Sequence, residues 1–207
     1  GRYAKAMVAM AHFDPSALSL VGAGGEAWRL MYPVPKAFID DVAKAAKASS
    51  VDANFIWSIM RTESRFEASV QSPVIATGLL QLMLPTGRAM NARLKVVPKI
   101  EYSDLKKPAI NIPLGTGYMA RLRDRWGGRD ALVASGYNAG PGNTRKWLKE
   151  RGNWPLDAFV EAIPYKENRR YVKSVLTSYL RYSLLSGGKV PKLDLTLPNA
   201  GDGEGDD

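Results

Sequence analysis

The stretch Phe55-Ile-Trp-Ser-Ile-Met-Arg-Thr-Glu63 predicts an amphipathic α-helix that ends on an inward-facing carboxylate. Positions i, i+3, i+4 and i+7 share one face of such a helix, and here they are Ile56, Ile59, Met60 and Glu63. Because the rest of this face is apolar, the carboxyl group has to find a partner or keep a proton. A carboxylic acid that stays protonated near neutral pH is suited to general acid catalysis.

The composition indicates one compact globular domain with some additional segments. The chain has 207 residues, no cysteine and a hydrophobic content of 45%. No apolar run is long enough to span a bilayer, so we expect no integral membrane segment. The single histidine, His12, is far from every motif below, which argues against a histidine triad or a histidine metal site. We expect no metal and no cofactor.

The net charge of +9 predicts a surface that attracts polyanions such as nucleic acid, anionic lipid or an acidic cell wall. The basic residues are scattered, and no Lys/Arg-rich run resembles a nucleic-acid-binding arm. We therefore expect no nucleic-acid partner.

The pattern along the chain predicts a mostly α protein with little or no β-structure. Residues 1–27 are interpreted as a helical segment that remains from a preceding helical domain. Residues 28–188 form the predicted folded body, and residues 189–207 form an extended acidic tail rich in proline and glycine.

Caps and breakers predict the helix boundaries within the body. Asp52 is a good N-cap for the helix that carries Glu63. Thr86 is predicted to cap a helix over residues 86–94, and Pro113 to begin one over residues 113–126. A long amphipathic helix is predicted over residues 166–185.

Four segments in a fixed order carry the functional signal. They are Glu63-Ser-Arg-Phe66, Ser72-Pro-Val-Ile-Ala-Thr-Gly78-Leu-Leu-Gln81-Leu-Met83-Leu-Pro85-Thr86, Gly136-Tyr-Asn-Ala-Gly-Pro-Gly142 and Ile163-Pro-Tyr-Lys-Glu-Asn-Arg-Arg-Tyr-Val172. Their order and spacing resemble the catalytic domain of the soluble lytic transglycosylases, which shares a lysozyme-like fold with goose-type lysozyme. The resemblance covers about residues 28–185 and makes the body a catalytic domain.

The resemblance implies cleavage of the β-1,4 bond between N-acetylmuramic acid and N-acetylglucosamine in peptidoglycan without added water. The muramyl C6 hydroxyl attacks C1 and closes a 1,6-anhydro ring, and Glu63 is the single general acid and base. Most glycosidases instead use two carboxylates. The resemblance also implies glycan strands as partners, a monomer, and a location in the bacterial periplasm or cell envelope.

The same resemblance supplies the candidate site residues. Glu63 and Tyr137 are the catalytic candidates, with the Tyr137 phenol expected to orient Glu63. The candidate substrate-binding residues are Ser72, Gln81, Met83, Gly136, Glu167 and Tyr171. Serine and glutamine can hydrogen-bond sugar hydroxyls or an acetamido group, and methionine offers a soft apolar wall.

Structural alternatives stay open for several of these residues. Met83 and Tyr137 are also typical core residues, Gln81 is a typical surface residue, and Glu167 would be favoured by the dipole at a helix start.

Three residues depart from the family pattern: Ile75 stands at the usual glycine, Leu80 at the usual methionine and Asn168 at the usual threonine. Leu80 conserves volume, whereas Ile75 adds a branched side chain and disfavours positive φ. Ile75 therefore either narrows the groove wall or turns into the core.

Two other functions compete with the transglycosylase. A goose-type lysozyme-like hydrolase would need a positioned water, usually with a second carboxylate, and the sequence offers no clear candidate for one. A non-catalytic peptidoglycan-binding module or a basic nucleic-acid binder would not need Glu63 on an apolar face.

Overall fold

The computed structural model describes residues 29–151, 154–187, 190–194 and 196–197. Residues 29–31 are helical. Eight α-helices follow within the described ranges: α1 (Ile39–Ser49), α2 (Ala53–Ser64), α3 (Leu84–Leu94), α4 (Pro108–Arg125), α5 (Asp130–Ala139), α6 (Pro141–Arg151), α7 (Leu156–Glu161) and α8 (Lys166–Leu185). Short 3-10 turns cover Lys36–Phe38 and Asp104–Lys106. The only extended pairing in the described residues is two isolated β-bridges, so the predicted mostly α fold is confirmed.

Two of the predicted helix boundaries are confirmed. The Asp52 carboxylate accepts a hydrogen bond from the Asn54 amide at 2.8 Å and caps α2. The long C-terminal helix spans Lys166–Leu185 as predicted.

Two predicted helix starts are wrong, and proline is the reason in both. Helix α4 begins at Pro108 and carries Pro113 inside it. Helix α3 begins at Leu84, with Pro85 in its first turn, so Thr86 lies within the helix. Because the first turn of a helix has no intrahelical partner for its N–H groups, a proline there is tolerated. In α4 the earlier proline, Pro108, is the first helical residue, and in α3 Pro85 is the second.

Helix α8 is the element on which the glutamate helix rests. It packs against α2 and α5. Two tyrosine hydroxyls of α8 bind opposite ends of α2: Tyr179 donates to Asp52 at 2.9 Å, and Tyr171 donates to Glu63 at 2.5 Å. Because the later tyrosine meets the earlier carboxylate, the two helices run antiparallel.

The buried apolar residues of the described chain form two clusters. The larger one includes the apolar faces of α2, α5 and α8. The smaller one is built from residues 82–114. Tyr118 and Tyr137 are partly buried and pack against both clusters, with their rings 5.4 Å apart. The two tyrosines therefore mark the seam between two halves of the domain.

The described part of the C-terminal tail is irregular and lies against the body. Arg129 donates to the Thr196 carbonyl at 2.8 Å, and Leu193 and Leu197 pack against the larger cluster. Residues 1–27 and the remainder of the 189–207 tail fall outside the described residues, so these segment assignments stay predictions. No helix in the described ranges is both long and apolar enough to cross a membrane.

Candidate active site

Glu63 lies in the last turn of α2, and the following serine explains why the helix stops there. Ser64 donates to the Met60 carbonyl at 3.1 Å and accepts from the Phe66 amide at 3.1 Å. Arg65 and Phe66 then take left-handed φ values of 50° and 65°. The serine hydroxyl thus satisfies backbone groups that the helix end leaves unpaired.

The carboxyl group of Glu63 is largely removed from water, which favours its protonated form. Burial raises its pKa from 4.5 to about 7, the hydrogen bond from Tyr171 lowers it, and the nearby Glu167 charge raises it. The side chain still keeps some contact with solvent. A carboxylic acid with this pKa at an accessible position can give up and regain a proton during one reaction cycle.

Tyr171 is the hydroxyl that directly contacts the candidate acid. Burial, the Glu63 charge and their hydrogen bond raise the pKa of Tyr171 well above its ordinary value. The phenol therefore stays protonated and donates to Glu63 Oε1 at 2.5 Å. Tyr171 was predicted to bind substrate, but in the structure its hydroxyl is occupied by Glu63.

Tyr137 does not orient Glu63 through a hydrogen bond, which corrects the predicted role of its phenol. Its hydroxyl donates to the Leu80 carbonyl at 2.8 Å. Burial raises the pKa of Tyr137 well above its ordinary value, and the Glu63 charge raises it further, so the two groups are close in space. Tyr137 lies in the site and ties the loop between α2 and α3 to helix α5.

Ser72, Gln81 and Met83 all lie on that loop. The polar groups of Ser72 and Gln81 are partly used in hydrogen bonds within the loop. Both amide hydrogens of Gln81 are used within the loop, on the carbonyls of Val70 at 3.1 Å and Gly78 at 2.9 Å. Ser72 Oγ accepts from the Ala76 amide at 3.0 Å. Gln81 can therefore meet a ligand through its acceptor oxygen, and Ser72 through its hydroxyl hydrogen.

Met83 is 41% exposed, which excludes the alternative that it belongs to the core. It precedes α3 and adjoins the loop that carries Ser72 and Gln81. An exposed methionine at this position fits the predicted apolar wall of a groove.

Gly136 was predicted to bind substrate, and that prediction is wrong. The residue is buried within α5, and a Cβ atom added to it would lie 2.2 Å from the Trp126 ring. Glycine is required there because the indole packs directly against the helix backbone. Gly136 contributes to the packing of α5 against Trp126.

Glu167 was predicted as a substrate-binding residue, and the structure adds that it is a second carboxyl group near Glu63. It is exposed in the first turn of α8, one turn before Tyr171. Its charge raises the pKa of Glu63, so the two carboxyl groups are within electrostatic reach. The structure therefore brings an acidic neighbour to Glu63 from a segment more than a hundred residues away.

Asn111 is a site-building residue that the sequence interpretation missed. Its side chain is fully buried in α4. Its Oδ1 accepts from the Leu80 amide at 2.8 Å, and its Nδ2 donates to the carbonyls of Thr77 and Leu105 at 3.0 and 2.8 Å. These bonds hold the backbone on which Tyr137 is anchored. The available signal was a lone amide inside the apolar stretch Ala109-Ile-Asn-Ile112.

A second buried amide, Asn168, positions the start of α8. Its Nδ2 donates to the Ser135 carbonyl at 3.0 Å and to Asn138 Oδ1 at 2.8 Å, and its Oδ1 accepts from the Ser135 hydroxyl at 3.0 Å. Asn168 thus fastens α8 to α5 next to Glu167.

Replacing Tyr171 by phenylalanine is expected to reduce turnover roughly tenfold or more, since a hydrogen bond to a charged group is worth about 1.5–3 kcal/mol. The hydroxyl lowers the pKa of Glu63, so its loss moves the alkaline limb of the pH–rate profile to higher pH. The rate of the Glu63-dependent reaction measured against pH checks both effects.

Tyr137→Phe is the matched control. It removes the bond to Leu80 and is expected to lower stability by about 1 kcal/mol while leaving the position of the alkaline limb unchanged. If Tyr137→Phe moves the limb and Tyr171→Phe does not, the two tyrosines have been assigned the wrong way round.

The all-α fold and the largely desolvated glutamate beside the seam are what the resemblance to a lysozyme-like domain predicts. The chain matches the family described as Transglycosylase SLT domain over residues 40–159 and belongs to that family.

Curated relatives support the same assignment. The chain is 32% identical over 167 residues to the soluble lytic murein transglycosylase of Salmonella typhimurium, which covers 80% of this chain and 26% of that protein. It is 32% identical over 174 residues to the soluble lytic murein transglycosylase of Escherichia coli K12, covering 83% of this chain and 27% of that protein. The chain thus spans about a quarter of the length of these relatives.

Solved structures agree in fold. The 70 kDa soluble lytic transglycosylase from Escherichia coli superposes with a TM-score of 0.75 at 28% identity, covering 90% of this chain and 30% of that one. An inactive mutant of lytic transglycosylase Slt from Pseudomonas aeruginosa, which carries a glutamate-to-glutamine substitution, superposes with a TM-score of 0.72 at 27% identity, covering 88% of this chain and 32% of that one. A complex of a 70-kDa soluble lytic transglycosylase with bulgecin A has a TM-score of 0.74 at 29% identity, covering 88% of this chain and 29% of that one.

Proposed function

We propose that this domain is a peptidoglycan lytic transglycosylase in which Glu63 is the single general acid and base. The observation that carries the proposal is the placement of the Glu63 carboxyl group, which accepts the Tyr171 hydroxyl at 2.5 Å at the end of a helix whose face is otherwise apolar. Burial at this position raises its pKa to about 7. Membership of the transglycosylase family and the names of the curated relatives support the substrate, a murein glycan strand.

The proposed reaction balances with one carboxyl group. Glu63 donates its proton to the glycosidic oxygen as the bond from C1 of N-acetylmuramic acid breaks. The resulting carboxylate then removes the proton from the muramyl C6 hydroxyl while the C6 oxygen forms a bond to C1. The product is a 1,6-anhydro ring, and Glu63 is protonated again for the next cycle. No water enters the products.

The protein's own groups support each step of this cycle. The desolvated surroundings of Glu63 favour its neutral form before bond cleavage. The Tyr171 hydroxyl stabilises the carboxylate that exists between the two proton transfers. Ser72, Gln81 and Met83 are proposed to hold the sugars along the loop between α2 and α3, with Tyr137 anchoring that loop and Glu167 at the rim.

A glycan-hydrolysing enzyme is the second candidate, and the acidic neighbour Glu167 is the observation that favours it. Two carboxyl groups flanking a bond are what inverting and retaining glycosidases use. In that case Glu167 would activate a water molecule or form a glycosyl bond, and reducing muramyl ends would result.

Mass spectrometry of digested peptidoglycan separates the two candidates. We expect 1,6-anhydromuramyl ends from the wild type, and the same ends, at a rate reduced less than tenfold, from Glu167→Gln. Reducing muramyl ends as the main product would contradict the transglycosylase, and their dependence on Glu167 would establish the hydrolase. Peptidoglycan that stays uncleaved would exclude both enzymes and would leave the non-catalytic binding module.

The substrate also fixes the proposed location. A domain that cleaves peptidoglycan has to act in the bacterial periplasm or elsewhere in the cell envelope. We propose that the domain acts there as a monomer, and that its excess of positive charge favours contact with an acidic cell wall.

A further inference from the structure

The loop between α2 and α3 contains a tight hairpin whose tip is apolar and exposed. Gln71 and Thr77 pair as an antiparallel bridge, and the Ser72 amide donates to the Ala76 carbonyl at 2.9 Å. The Ile75 amide donates to the Ser72 carbonyl at 2.9 Å and closes the turn. Three residues therefore connect the two arms, and the last of them is Ile75.

Ile75 has a backbone conformation that its side chain disfavours. Its φ is +67°, in the left-handed region. A three-residue hairpin loop places its last residue in this region, and glycine is the usual choice there. For a β-branched residue a left-handed φ is an outlier. The backbone at Ile75 is therefore strained by comparison with a glycine at the same position.

Burial of the Ile75 side chain does not compensate for this backbone strain. Ile75 is 46% exposed and its neighbour Val74 is 69% exposed. The alternative that Ile75 turns into the core is wrong. Strain of this kind, without compensating burial, is found mainly at functional sites, where the surrounding structure maintains it.

The hairpin is fastened to the candidate active site. Thr77 Oγ1 donates to the Ile75 carbonyl at 3.0 Å, and Thr77 also pairs with Leu82. Leu82 adjoins the exposed Met83, and the Leu80 carbonyl accepts the Tyr137 hydroxyl. Because Thr77 and Leu82 pair in antiparallel fashion, Ala76, the neighbour of Ile75, comes opposite Met83, so the Val74–Ile75 tip and Met83 belong to the same part of the loop.

We propose that Ile75, supported by Val74, is a specificity determinant that contacts the acyl methyl groups of the glycan strand, an inference that rests on the proposed function. An amino-sugar strand is polar over most of its surface, and its acyl methyl groups are the most apolar atoms that it offers. An isoleucine held at the rim of the groove gains little from hydroxyls but removes a methyl group from water. The domain should therefore prefer N-acetylated strands to de-N-acetylated ones.

The test compares Ile75→Gly and Ile75→Ala with the wild type on native and de-N-acetylated peptidoglycan. Glycine removes both the side chain and the strain, whereas alanine removes most of the side chain and keeps the left-handed φ. Ser50→Gly is the matched control, because Ser50 is exposed, has a φ of 54° and ends α1 away from the loop.

We expect the two Ile75 variants to lose the preference for N-acetylated strands and Ser50→Gly to keep it. Burial of one methyl group corresponds to about a fourfold preference in kcat/KM, and both Ile75 variants should lose it. Ile75→Gly and Ser50→Gly should each raise the melting temperature, by about 2–4 °C if the strain is worth about 1 kcal/mol. An unchanged ratio between the two substrates in both Ile75 variants would overturn the proposal, whatever the change in stability.

The same comparison made on binding separates this inference from the proposed function. The Ile75 substitutions are added to Glu63→Gln, and binding of both kinds of strand is measured. This measurement does not need turnover. If the wild type cleaves neither substrate, the proposed function fails, and the binding ratio alone decides the role of Ile75. If the wild type cleaves both and the ratio is insensitive to Ile75, only this inference fails.

Discussion

Glu63→Gln is expected to abolish peptidoglycan turnover while leaving the fold and glycan binding nearly intact. Glutamine keeps the shape of the side chain and can still accept the Tyr171 hydrogen bond, but it cannot release and regain a proton. General acid–base assistance is typically worth ~10²–10⁴-fold, and the loss is larger when one group performs both transfers. Turnover of purified peptidoglycan, measured as release of soluble fragments, checks the prediction.

Glu150→Gln provides the matched control for this substitution. Glu150 is about half exposed and pairs with its neighbour Arg151 on α6. Removing its charge is expected to leave turnover unchanged. Substantial residual activity in the Glu63 variant, beside an intact fold, would remove Glu63 from the mechanism.

The rate of the wild-type enzyme is expected to fall as pH rises through about 7. Glu63 must carry a proton when the glycosidic bond breaks, and its pKa is raised to about 7. Above this pH the protonated fraction drops tenfold per unit, so kcat/KM at pH 9 should be about a hundredfold below its plateau. The plateau should extend to lower pH until other groups titrate. Initial rates across this range test the prediction.

The free energy of unfolding should also depend on the ionisation of Glu63, and it should fall as pH rises. The folded state binds the Glu63 proton more tightly than the unfolded state does, because burial raises the pKa from 4.5 to about 7. The stabilising contribution is complete below pH 4.5 and is lost as pH rises through 7, by about 3 kcal/mol in total.

Glu63→Gln should lack this loss, so the variant should be more stable than the wild type at pH 8 and similar to it at pH 4. Thermal or denaturant unfolding at these two pH values measures the difference. Equal stability of the two proteins at pH 8 would mean that the carboxyl group is not desolvated.

The inward glutamate was predictable from sequence because a helical face is a local property. The spacing from Ile56 to Glu63 places the carboxylate on an apolar stripe, and the Asp52 cap fixes the register. The long helix α8 was predictable for the same reason. A strong 3.6-residue period needs no knowledge of the partner element.

The choice between two tyrosines was not predictable, because it depends on how helices pack. Tyr137 and Tyr171 both lie on inward faces, of α5 and α8. Only the antiparallel docking of α8 on α2 places the Tyr171 hydroxyl on Glu63 and leaves Tyr137 to the Leu80 carbonyl. The proximity of Glu167 to Glu63 depends on the same docking.

The roles of Asn111 and Gly136 were hidden for a related reason. A buried amide and a helical glycine have the same local sequence appearance whether they contact a ligand or a neighbouring element. In the structure, Asn111 binds the Leu80 backbone and Gly136 packs against the Trp126 ring. Both partners come from other elements, so local sequence does not show them. Ile75 is different, since its departure from the pattern of the resembled family was visible in the sequence.

The ionisation of Glu63 is the property on which the mechanism depends, and carbon-13 NMR measures it directly. The Glu63 carboxyl resonance is identified as the one missing from Glu63→Gln, and its chemical shift is followed from about pH 4 to about pH 9. The structure predicts a titration midpoint of about 7. A midpoint near the ordinary value of 4.5 would show a solvated carboxylate that is already ionised at neutral pH, and it would contradict the assignment of Glu63 as the acid.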